Sequence, residues 1–322
     1  TSGGTYDQHW VSGDDAIFEG TAGTVTLGEA IAVSNMSFTA GNYTIAGYTL
    51  TFASGGAITN EIAAKNQTIT SAIAGSPDVY VTDSGSSYNT RLTFSPSSGS
   101  QTLGTATVPF NSPNSGDKSR MTLGGTTTGN SVVKIQKEHN YGHVYKEGSG
   151  TWSVGDVDVG TVYLQAGNLI ATGTVHTYYG GLEMSGGVFH YNNAGAVYNR
   201  FRLYNASFDN SSGSAITSPT YNTDQKWGGN WTFIGSNGAN SDLNLGTGAV
   251  ELNGNRTVTI QNAAATLTVG GVVSDGGSSY GLTKAGAGTQ DLNGNNTYNG
   301  NTTVSAGTLS IAYACLDESA VV

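Results

Sequence analysis

Cysteine, proline and charge are all scarce in this chain. Of its 322 residues one is cysteine, Cys315, and five are proline. A lone cysteine excludes an internal disulfide framework, so packing has to hold the fold. Cys315 is expected as a small buried apolar residue, with an intermolecular bond as the alternative. Such near-absence of cysteine is common in proteins secreted across two membranes. Charged residues make up 11% of the chain, less than half the roughly 25% of ordinary globular domains. The 12 Lys and Arg residues stand against 22 Asp and Glu, a net charge of −10, and they form no run in sequence. Nucleic-acid recognition needs a cationic footprint, so no nucleic-acid partner is expected. No apolar stretch reaches the roughly 18 residues of a membrane-spanning helix, and no segment holds a 3.6-residue period over helical length. The chain opens at Thr1 rather than Met, read here as a processed or excised piece of something longer.

What is abundant is glycine, 48 residues, and an apolar share of 37%. The apolar residues recur in short alternating runs: Val25 and Leu27, Met36 and Phe38, Leu50 and Phe52, Val133 and Ile135, Leu182 and Met184, Val250 and Leu252, Val258 and Ile260, Leu267 and Val269. Alternation with period two is the strand signature. Gly, Asn and Ser lie between the runs. A sandwich or barrel also gives short strands at close spacing. The joints here are longer and more varied than two-residue hairpin turns, which favours corners of a coil. The expected fold is all-β, a right-handed parallel β-helix of about 13–16 coils with loop insertions, at roughly 20–25 residues per coil. Residues 1–322 are expected to form a single β-helix domain. Three less regular stretches, Ser95 to Asp117, Glu138 to Gly150 and Asn210 to Gly229, are expected as insertions on one face.

One passage has a distinctive order. It reads Leu282-Thr283-Lys284, Gly286, Gly288-Thr289, Leu292, Gly294, Asn296-Thr297-Tyr298, Gly300, Thr302-Thr303-Val304 and Gly307-Thr308-Leu309. This resembles the autotransporter-associated β-strand repeat of bacterial passenger domains and other very large surface proteins. A degenerate copy spans 146–169: Lys146, Gly148, Gly150-Thr151-Trp152, Val162-Tyr163-Leu164 and Gly167-Asn168-Leu169, without the Asn-Thr-Tyr-x-Gly block. Trp10-Val11-Ser12-Gly13-Asp14 resembles the opening coils of such proteins, and Ser319-Ala320-Val321-Val322 the start of a further repeat. The resemblance implies a passenger-like, extracellular structural or adhesive rod on a bacterial surface. No membrane-barrel segment of such proteins is found in the chain. Read for its physics, the motif builds a coil. Its glycines supply corners and close approaches, Leu282, Leu292, Val304 and Leu309 point inward, and Asn295 and Asn296 suit an amide ladder at a corner.

The search for chemistry is less rewarding. Asp156 and Asp158 would share a strand face about 7 Å apart, near the lower edge of an inverting glycosidase pair, but no cluster of Arg, Lys or His accompanies them in sequence. His139 and His143 with Glu138 and Glu147 have a spacing that converges on a helix, not a strand, and are read as a polar loop. Asp83-Ser84-Gly85-Ser86 lacks triad partners. No Gly-Gly-x-Gly-x-Asp calcium array occurs; scattered calcium sites from Asp and backbone carbonyls are the remaining opening, and otherwise no cofactor or metal is expected. Asn-x-Ser/Thr sequons, at Asn35 or Asn255 for example, are what an Asn- and Thr-rich chain produces by chance. The aromatic residues Tyr178, Tyr179, Tyr191, Tyr198, Tyr204, Trp227 and Trp231 form the candidate surface for glycans, against the alternative that they cover the core. Three functions are carried forward. The first is a non-enzymatic adhesive or structural rod whose partners are glycans or a host or neighbouring cell surface. The second is a filament or surface-layer subunit joined end to end through unpaired strand edges. The third is a polysaccharide-active enzyme.

Overall fold

The structure is a computed structural model and describes residues 10–60, 62, 65–81, 90–108, 120–137, 142–193, 197–198, 200–217 and 224–312. It is all-β and parallel. The strands stack as β-solenoid coils, about 12 turns in all, in two compact units, Thr1–Val162 and Tyr163–Val322. The count is below the 13–16 expected because coil length is uneven. Leu182 stacks on Phe201, 19 residues on, whereas Leu92 stacks on Met121, 29 residues on.

In the first unit, one interior column runs Ala16, Met36, Ile58, Val79, Ala106, Ile135 and Val157, each in register with the next and each buried. A second runs Ile45, Ile69, Phe94 and Leu123 and ends on Lys146. Because side chains alternate across a strand, the neighbours of these residues form outward columns, mostly Thr, Ser and charged. The second unit has the same grammar with larger residues. Leu169, Phe189, Phe208, Phe233 and Ile260 make one column, and Met184, Leu203, Trp227 and Leu252 another. Phe208 meets Phe201 and Trp231 edge-on at 5.6 and 5.8 Å, within the favourable range for aromatic pairs.

At corners the backbone ladder breaks, and side-chain carbonyls replace its rungs. Asn35 Oδ1 accepts from the Ala57 amide, Asn42 from Asn66, Asn230 from Thr257 and Asn255 from Gly281. Each is a bond to the next coil, so the abundant Asn satisfies donors that would otherwise lie unpaired between coils.

The three expected insertions are only partly insertions. Thr102–Val108, His143–Lys146 and Asp224–Trp227 are strands, in register with strands of adjoining coils. Their inward positions hide the alternation: Gly104 and Ala106 are small, while Lys146 and Gln225 are polar yet buried. Asp83 to Ser86, Glu138, His139 and Cys315 lie outside the described residues.

Candidate binding surface and the repeat coil

The passage 282–309 closes a coil. Leu282 and Leu292 are interior, as are Asn296 and Tyr298. The Tyr298 hydroxyl is 2.6 Å from Thr302 Oγ1, which gives the buried phenol its polar partner. Asn296 does not ladder with Asn295 as expected. It is buried, and its Oδ1 accepts from the Val273 amide at 2.9 Å, a corner rung like those above. Gly286 and Gly307 have φ of +77° and +70°, where a side chain is strained. A Cβ on Gly288, Gly294 or Gly300 would run into the backbone of the adjoining coil. Val304 and Leu309 are only half covered, with their inward sides over Lys284 and Gln290.

The least expected interior residue is Lys284, which is fully buried. It occupies the column Trp231, Val258, Lys284, Val304. Its Nζ donates to the carbonyls of Ala285 and Gly286 in its own corner at 3.0 and 2.8 Å, and to Ala306 of the next coil at 3.0 Å. Lys146 in the degenerate copy does the same: buried, it donates to the carbonyls of Glu147 and Gly148, both at 2.9 Å. In each case the corner glycine has positive φ, Gly148 at +71° and Gly286 at +77°. That turn aims successive carbonyls inward, and an ammonium with three donors is suited to collect them. Burial pushes the Lys146 ammonium down to about 8, against a smaller opposing pull from Glu147. Burial likewise lowers Lys284.

The aromatic surface expected from sequence is not assembled. Tyr191, Trp227 and Trp231 are core residues, 1%, 0% and 2% exposed, because they fall on the inward phase of their strands. Tyr204 is half-buried. Tyr178 is exposed and packs its ring 4.4 Å from that of His176. Tyr179 and Tyr198 lie in strands, Val175–Met184 and Val197–Tyr198.

Asp156 and Asp158 share an outward face as expected. The preceding coil sets Lys134 in register with Asp156 and Gln136 with Asp158, and Lys137 Nζ reaches Asp158 at 3.7 Å. The result is an outward face of both signs. Glu147 is taken by Arg91 at 2.9 Å, which accounts for one of the four residues weighed as metal ligands. Among the described residues no three His, Cys, Asp or Glu side chains are grouped to hold a metal ion.

Sequence reading missed a polar cluster in the second unit. His190 stacks on Asp209, its Nδ1 3.4 Å from Asp209 Oδ2. The Ser236 hydroxyl and amide donate to the Asp209 carboxylate at 2.7 and 3.0 Å. Burial raises the Asp209 pKa, but hydrogen bonds from His190 and Ser236 outweigh it and hold it below the usual carboxylate range. The Ser hydroxyl serves the carboxylate and not the imidazole, so the order of a nucleophilic triad is absent. The cluster ties two coils together. Near the repeat an open groove is lined by Asn255, Thr283, Asn299, Asn301 and Thr303, amides and hydroxyls without charge.

These features define a passenger-like parallel β-solenoid in which the recognisable motif builds coils. Comparison with known proteins agrees. Residues 282–311 match the family model described as the passenger-associated-transport-repeat. A curated relative, the Adhesin BmaC autotransporter of Brucella suis biovar 1 (strain 1330), is 32% identical over 204 residues, which is 59% of this chain and 5% of the relative. The chain thus spans a small fraction of the length of the protein it resembles. No solved structure matches. Among the described residues no helix is long and apolar enough to cross a membrane.

Proposed function

We propose that this chain is part of an extracellular, surface-displayed adhesive rod of a bacterium, and that it acts by presenting its outward side-chain columns rather than by catalysis. The observation that carries the reading is the 32% identity over 204 residues to an autotransporter adhesin, together with the passenger repeat at 282–311. The physical division of labour supports it. The motif residues face inward and hold coils together, which leaves the outward columns free to vary with the partner. Glycans or a host or neighbouring cell surface are the partners this reading implies, and it calls on no cofactor.

The test is adhesion. Latex particles coated with the chain are compared with particles coated with an unrelated β-solenoid on epithelial monolayers and on extracellular matrix. Retention several-fold above the control supports the proposal. Retention equal to the control on every surface overturns it.

A further inference from the structure

The basic residues, scattered in sequence, are gathered by the fold. In the first unit Arg91, Arg120 and His143 each open a strand: Arg91–Phe94, Arg120–Leu123 and His143–Lys146. They are direct register partners, Arg91 with Arg120 and Arg120 with His143, so they stack one coil apart, about 4.8 Å. The residues that follow them, Leu92, Met121 and Val144, are buried, which sets the two guanidiniums and the imidazole on the outward side. In a chain of net charge −10 with 12 Lys and Arg, two arginines on consecutive rungs are a local reversal of sign.

Both guanidiniums are held in place. Arg91 Nε donates to Thr93 Oγ1 and Thr122 Oγ1 at 3.0 and 3.2 Å, and its terminal nitrogen to Glu147 at 2.9 Å. The Arg120 guanidinium lies over the Tyr145 ring, 4.5 Å from its centre, a contact that orients the fork without neutralising it. Burial lowers the Arg91 pKa, and the Arg120 charge lowers it further, against Glu147. A like-charged stack of this kind is costly in the free protein and is relieved by a bound anion, for which a planar fork offers paired donors.

We propose that the Arg91–Arg120–His143 column is a binding site for an anionic polysaccharide, recognised through sulfate or carboxylate groups, with the Tyr145 ring and Thr93 hydroxyl facing the sugar. This rests on the adhesive reading and names its ligand class. A glycan is favoured over a nucleic acid because the cationic strip is short and the rest of the chain is acidic, which repels a long, densely charged phosphate polymer.

The probes are heparin, hyaluronate, neutral dextran and duplex DNA, each titrated into the intact chain at 50 mM and 300 mM NaCl by calorimetry. Heparin or hyaluronate is expected to bind, dextran not to, and binding is expected to weaken at high salt. Arg120→Gln is expected to weaken it at least fivefold. Glu147→Gln, which removes the competing carboxylate, is expected to tighten it, an outcome that misfolding would not produce. Lys226→Gln removes one positive charge from an exposed pair with Glu251 in the second unit and is expected to change nothing. The proposal is overturned by absent heparin and hyaluronate binding, by tighter binding to DNA, or by equal effects of Arg120→Gln and Lys226→Gln. Polysaccharide binding by a chain whose coated particles do not adhere would overturn the adhesive reading and leave the anion site standing.

Discussion

Replacing Lys284 by methionine tests whether a buried lysine closes the repeat. Methionine keeps an unbranched stem of similar length and removes the ammonium. Three carbonyls then lose a donor, those of Ala285, Gly286 and Ala306. Ala306 is exposed, so water replaces the lost bond there. The two corner carbonyls are half-covered, and each is left short of a donor at a cost of about 1–3 kcal/mol. Against this stands relief from burying a charge, which offsets part of the loss. The net expectation is a destabilisation of about 2 kcal/mol. The assay is guanidinium unfolding followed by tryptophan fluorescence, because Trp231 lies in the same interior column, two coils from Lys284. With the steep guanidinium dependence of a chain this size, the midpoint should fall by roughly 0.3–0.5 M. A Lys284→Met protein as stable as the parent would refute the idea that the ammonium closes the corner and reduce the residue to an apolar filler.

Four further outcomes follow from the same geometry. Lys146 is held near 8 by burial against an ordinary 10.5, so the folded form binds fewer protons between those values. Its cost is fully present below pH 8, and stability gains about 1–3 kcal/mol as pH rises to 10.5; the slope is expected in melts of the parent and absent from Lys146→Met. Trp227→Ala should cost about 3–5 kcal/mol by emptying a core site, whereas Tyr178→Ala, on the surface, should shift unfolding by less than about 0.5 kcal/mol; equal effects would contradict the inward and outward assignments. Gly300→Ala places a methyl against the backbone of Tyr280 and should destabilise by about 1–3 kcal/mol, read as a lower thermal midpoint. The Asp209 carboxyl is depressed, so its contribution is present above the unfolded carboxylate value and lost as pH falls through the folded one; Asp209→Asn should flatten the acid limb of the stability profile.

The solenoid was legible because hydrophobic alternation and glycine-marked corners survive in most coils, and the 282–309 motif is ordered enough to be recognised. Thr102–Val108 escaped notice because Gly104 and Ala106 fill its inward positions, and His143–Lys146 because its last inward residue is a lysine. The aromatic surface failed for a different reason. Period two gives two phases, and a shift of one residue exchanges them. A tyrosine or tryptophan fits either phase, so Tyr191, Trp227 and Trp231 could be placed only once register was known. The Arg91–Arg120–His143 column was invisible for want of register too. Its members lie 29 and 23 residues apart in sequence, and no fixed period joins them.

The central claim is that this chain is displayed outside the cell as a solenoid whose repeat faces inward. Thr283 is outward and Leu282 beside it is buried. With Cys315 replaced by serine, Thr283→Cys and Leu282→Cys versions of the full-length parent protein are exposed on intact bacteria to a membrane-impermeant maleimide. Labelling of Thr283→Cys on intact cells, with Leu282→Cys labelled only after denaturation, is the predicted result. Labelling of both positions alike, or of Thr283→Cys only after lysis, would contradict it.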